Sequence, residues 1–123
     1  MIVPNFENDF AAINLEFYVD AGGYVQVNTA PAYAMLGHYL ASEIQGIAVI
    51  CQELLAMIAD IENGDHSAIG SEMQGVGNGY GLAISDDKVT IWSEFTNPQV
   101  SLELPLAVFK RSLQTYMNFL EQS

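Results

Sequence analysis

Few residues in this chain have a type and spacing that could do chemistry. The most conspicuous are the glycines at 75, 77, 79 and 81 in GVGNGYGLAISDD. A phosphate-binding loop needs such glycines between a strand and a helix, so that N–H groups at the helix start meet the anion. Here a strand-like alternation follows instead. No Gly-Lys-Ser/Thr follows the run, and the nearest cation, Lys88, stands beyond Asp86 and Asp87. The single cysteine, Cys51, excludes an intramolecular disulfide and any multi-cysteine metal site. It sits on an apolar helical stripe, where a free cysteine acts as a small buried hydrophobe. A nucleophilic thiol wants a cationic neighbour, and none is near in sequence. His38 and His66 are far apart, without His-x3-His spacing, and His66 in GDHS reads as a solvated loop histidine. With no paired acid and base and no triad, the chain is expected to be no enzyme, with no catalytic, cofactor-binding or metal-binding residue.

The acids are better organised. Three basic residues against fifteen acidic ones leave a net charge of −12. That charge opposes direct binding to nucleic acid or to an anionic membrane, and it favours a basic protein partner or solubility alone. Alternation along the strands places Glu16, Glu94 and Glu103 on a polar face with Tyr18, Thr90, Trp92 and Ser101, while Asp20, Asp86 and Asp87 fall at turns. One reading is a solvated face whose charges deter edge pairing. The other is a docking surface for a basic protein, with Trp92 and Tyr18 supplying contact area and the acids speeding encounter. The candidate partner-binding residues are Glu16, Tyr18, Asp86, Asp87, Trp92, Glu94 and Glu103.

The elements that must position these residues follow from periodicity. Residues 12–19 alternate, with Ile13, Leu15, Phe17 and Val19 on one side. DAGGY turns the chain, and 24–28 completes a hairpin. Thr29 is placed to cap a helix with Pro31 in its first turn. From Tyr33 an apolar stripe steps by three or four through Leu36, Leu40, Ile44, Ile47, Cys51, Leu54, Ile58 and Ile61. A straight helix of that length would span about 43 Å, too long for a domain with a radius of gyration of about 14 Å. A break or a late start is therefore expected, with Gly37 and Gly46 the candidate points. Gly64 is a natural helix stop, and 65–78 reads as a loop.

The second hairpin allows a register argument. With Asp86-Asp87 as a two-residue turn, Ile84 faces Val89, Leu82 faces Ile91 and Tyr80 faces Ser93 on the buried side. Ala83 then faces Thr90, and Gly81 faces Trp92 on the other side, so the indole covers a glycine floor. A competing reading makes Asn78-Gly79 a turn between 72–76 and 80–85. A strand over 100–104 and a helix opened by Pro105, with Leu106, Phe109, Leu113, Tyr116 or Met117, and Leu120 inward, close the chain. The whole, 1–123, is expected to be one α+β domain of order ββαβββα. Its antiparallel sheet of about five strands carries two main helices on one face.

The glycine-led hairpin GNGYGLAISDDKVTIWSEF, the long helix before it and the closing LELPLAVFKRSLQTYMNFLEQ together resemble the small acidic immunity proteins of bacterial contact-dependent growth inhibition systems. They are similar also to a related family of uncharacterised bacterial cytoplasmic proteins. The likeness spans roughly residues 12–122 and rests on apolar positions and turn glycines rather than on a catalytic signature. It implies a cytoplasmic protein that binds and neutralises the toxic C-terminal domain of a cognate effector, often a basic nuclease. No toxin-binding residue carries over by motif. The alternative expectation is a small acidic adaptor or homodimer without enzymatic activity. The start, MIVPNFENDF, lacks the basic region of a signal peptide, and the uncharged run 21–42 is interrupted by Pro31, so neither reads as a membrane segment.

Overall fold

The structure is a computed structural model that describes residues 6–44, 46–65, 72–74, 79–93 and 100–122. In chain order it runs α1 (Phe6–Ile13), β1 (Glu16–Val19), β2 (Val25–Asn28), a 3-10 turn (Pro31–Tyr33), α2 (Ala34–Tyr39), a π-helical turn (Leu40–Ile44), α3 (Ala48–Glu62), β3 (Glu72–Gln74), β4 (Tyr80–Ile84), β5 (Lys88–Ser93), β6 (Val100–Pro105) and α4 (Leu106–Gln122). The α+β class, the antiparallel pairing and the order of main elements are those expected. The strands, however, divide between two sheets: β1 pairs with β2 alone, and β3-β4-β5-β6 form a second sheet.

The division has a physical cause. The β1–β2 hairpin presents Phe17, Val25 and Val27 on one side. Phe17 meets Tyr116 edge-to-face at 4.8 Å and lies 5.6 Å from Phe119, both on α4. Gly37 on α2 sits against Thr29 and the Val27 carbonyl. Because α2 touches β2 and also β5 and β6, the helical layer stands between the two sheets. The core lies in that layer and on one face of the larger sheet, where Leu36, Leu40, Ile44, Ile58, Leu82, Ile84, Val89, Ile91, Phe109 and Leu113 are fully or almost fully buried. Each such side chain contributes about 1.5–3 kcal/mol by leaving water.

The long apolar stripe is real but broken at one of the two expected glycines. Gly46 adopts φ +72°, a conformation that favours glycine, and the helical arms on either side diverge by 119°. The Gly46 N–H donates to the Tyr116 hydroxyl at 2.6 Å, which anchors the bend to α4. Leu36, Leu40 and Ile44 on one arm and Cys51, Leu54, Ile58 and Ile61 on the other are buried, Tyr33 is half-buried, and Ile47, at the bend itself, is 42% exposed. No single helix among the described residues is long and apolar enough to cross a membrane.

Other local expectations need correction. The first strand is shorter than 12–19, because Ile13 ends α1 and Asn14 takes φ +58° before β1 begins. Ile13 is buried from a helix, not from a strand. Val19 overshoots the packed part of the hairpin and is 51% exposed. Thr29 does not cap the next helix: its hydroxyl donates to the Ala30 carbonyl, and Ala30 occupies the capping position. Residues 72–74 form an edge strand rather than loop. Gly64 does follow α3 with φ +93° and donates its N–H to Ile61.

Candidate functional site

The β4–β5 hairpin sets the geometry of the most distinctive surface. Its pairs are Tyr80 with Ser93, Gly81 with Trp92, Leu82 with Ile91, Ala83 with Thr90 and Ile84 with Val89. The Ser85 N–H donates to the Lys88 carbonyl at 2.9 Å, so Asp86-Asp87 form the two-residue turn that fixes this register. β4 is also the second strand of a hairpin with β3, as the competing reading has it, but not in the register of a two-residue Asn78-Gly79 turn: that turn would set Gln74 opposite Ala83, whereas Met73 lies opposite Leu82 and Gln74 opposite Gly81. Asn78 lies outside the described residues.

Trp92 covers Gly81 as the register requires. A Cβ at residue 81 would fall among Cε2, Cζ2 and Nε1 of the indole. Gly81 itself is buried, although it points away from the helices. Around the indole, Thr90 and Ala83 are half-buried, Ser101 and Glu103 exposed. β6 places Ser101 opposite Trp92 and Glu103 opposite Thr90. No described element packs over this face.

The predicted acids do not gather as expected. Glu103 shares the Trp92 face but pairs with Lys88 at 3.2 Å, both side chains at least half exposed. Such a pair contributes at most about 1 kcal/mol and is screened by salt. Asp86 and Asp87 are exposed at the turn, where the Ser85 hydroxyl donates to Asp87 Oδ1. Asp87, Lys88, Glu103, Leu104 and Pro105 line a shallow open depression at that end of the sheet. Glu94 and His66 lie outside the described residues. Glu16 and Tyr18 are exposed but on β1, across the helical layer from Trp92, because the first hairpin packs on α4 and α2 rather than joining the larger sheet. The expectation of one shared polar face is thereby corrected to two separate faces.

All three basic side chains are engaged within the chain. Lys88 pairs with Glu103, Lys110 with Glu62 at 2.9 Å, and the Arg111 guanidinium lies 5.4 Å above the Phe10 ring. The excess negative charge is therefore left for solvent or a partner.

One carboxylate escaped sequence reading. Glu43, in the π-helical turn, is fully buried, and its Oε1 accepts the Tyr80 N–H at 2.9 Å. The bond ties the helical layer to the start of β4. His38 stacks parallel to the Tyr80 ring at 6.0 Å. The signal was present: Glu43 stands seven residues after Leu36 and three after Leu40, on the apolar stripe itself. Cys51 is buried, with its thiol against the Leu113 carbonyl at 3.4 Å, and burial pushes its pKa up to about 11. A thiol held protonated is a poor nucleophile. Among the described residues, no three His, Cys, Asp or Glu side chains converge on a point that could hold a metal ion.

No family model, no curated protein and no solved structure matches this chain.

Proposed function

We propose that this chain is an immunity protein that neutralises a toxin domain, probed first through its Trp92 face. The observation that carries the reading is the joint state of charge and surface. A net charge of −12 remains with every lysine and arginine engaged internally, beside a sheet face that seats an indole and, among the described residues, has no helix over it. A basic nuclease domain answers both features: its cations meet the surplus carboxylates, and Trp92 supplies apolar contact at the centre. The protein acts by occupying the toxin, in the cytoplasm, and performs no chemistry of its own. The resemblance to immunity proteins of contact-dependent growth inhibition agrees with this role.

The test is to look for a large secreted effector in the neighbouring reading frame and to co-express this chain with that effector's C-terminal domain. Growth should be rescued, and the purified pair should associate more slowly as ionic strength rises, because screening removes long-range attraction. Trp92→Ala and Glu103→Lys should each weaken binding while the fold persists; Glu94→Lys should do the same. Unchanged affinity in all three moves the contact to another surface. Absence of both rescue and association overturns the role.

A further inference from the structure

We infer that the outer edge of β1 is a second docking element, which accepts an extended basic segment of a partner by strand addition. This rests on the reading of the chain as a binder of basic proteins, but it concerns the sheet on the other side of the helices.

The edge follows from hydrogen-bond parity. The Asp20 N–H donates to the Tyr24 carbonyl at 2.9 Å, which makes residues 20 and 24 a bonded pair. Alternation along the register then directs the backbone groups of Tyr18 and Glu16 to Gln26 and Asn28 on β2. Those of Phe17 and Val19 point the other way, and no described backbone group meets them. β2 cannot offer the same edge, because α2 and the π-helical turn lie against it. Edge strands of this kind are ordinarily blunted by charged side chains, proline or a bulge. β1 reads Glu-Phe-Tyr-Val, without proline, lysine or a bulge; its one charge, Glu16, deters an acidic strand but not a basic one, and Tyr18 and Val19 are 46% and 51% exposed. Tyr24, at the hairpin tip, is 72% exposed.

Charge selects the occupant. The antiparallel self-pairing that sets Phe17 of one copy opposite Val19 of the other is centred on Tyr18. It would set Glu16 of each copy opposite Asp20 of the other, twice, and like charges directly opposite are destabilising. Asp20 is firmly a carboxylate: its oxygens accept the N–H groups of Gly22 and Tyr24 and the Gln26 amide, and these bonds lower its pKa. A strand with lysine or arginine at the positions facing Glu16 and Asp20 reverses both contacts. The stem of the intervening residue then lies on the Tyr18 ring. Backbone bonds give such a complex its affinity, and the alternate side chains give it specificity.

The experiment uses the full chain and a short peptide alternating lysine with valine, beside the same peptide N-methylated at alternate positions so that it cannot complete the ladder. Amide NMR and hydrogen exchange should show shifts and protection at Phe17 and Val19 with the first peptide only. Val19→Pro removes an outward N–H without touching the bonds to β2, so it should keep the native spectrum and weaken binding at least tenfold. Glu16→Lys should weaken it as well. Equal binding of the N-methylated peptide, shifts confined to Trp92, or no protection at Phe17 and Val19 overturns the inference. So does concentration-dependent protection in the protein alone accompanied by a dimer in sedimentation, which would make a second copy the occupant. Failure of toxin neutralisation is read separately, by growth rescue, and leaves these outcomes unchanged.

Discussion

Replacing Gly81 by alanine isolates the central claim about the open face. Gly81 has no positive φ, so its backbone accepts any residue. In a strand interior, alanine ordinarily stabilises by about 0.5–1 kcal/mol relative to glycine. Here the added methyl would occupy the space of the indole atoms Cε2, Cζ2 and Nε1. The ring must swing off its floor, and re-exposing about 100 Å² of its surface costs about 2.5 kcal/mol at 25 cal/mol/Å². The expected net effect is a loss of about 2 kcal/mol. Trp92 is the only tryptophan, so its fluorescence reports the site without interference. Gly81→Ala should lower the urea midpoint at unchanged m-value, move the emission to the red and raise quenching by acrylamide. In Trp92→Ala the sign should reverse, with Gly81→Ala becoming neutral or stabilising, and the cycle should show a coupling of about 2–3 kcal/mol. A Gly81→Ala protein as stable as the parent, with unshifted emission, would refute the seating of the indole.

Stability should fall as pH rises from about 9 towards 11. The Cys51 thiol has an ordinary value of 9.0 and is raised to about 11 in the fold, so over that window the unfolded chain releases a proton that the native chain keeps. Tyr116, raised from 10.0 to about 12, and Tyr39, raised by burial and by the nearby Glu43, extend the loss upward. Denaturant titrations across that range check the slope, and Cys51→Ala should delay its onset. Glu43→Ala should cost about 2–3 kcal/mol by leaving the Tyr80 N–H without its acceptor, whereas Glu43→Gln, which keeps an acceptor oxygen, should cost far less. Tyr116→Phe should cost about 1 kcal/mol and accelerate exchange of the Gly46 amide, the donor that loses its partner.

Much of this protein is written in short-range pattern. The alternation of Leu82, Ile84, Val89 and Ile91, with a two-residue turn between them, leaves one register that buries all four. That register alone puts Trp92 over Gly81. The helical stripe from Leu36 to Ile61 likewise names the core, and chain length requires it to bend at a glycine. What periodicity could not decide is which glycine bends and which sheet each strand joins. Gly46, and not Gly37, is the hinge because the Tyr116 hydroxyl, seventy positions away, waits for its N–H, while Gly37 is needed against β2. Glu16 and Tyr18 look like sheet-mates of Trp92 because alternation says which side of its own strand a residue faces, but not where that strand lies. Packing of Phe17 on Tyr116 and Phe119 sends the first hairpin to the far side of the helices. The sequence by itself thus determined the faces of each element and the acidity of the whole. Only long-range contacts decided that the acids and aromatics are shared between two surfaces, because the free energy that places a hairpin comes from residues a hundred positions away.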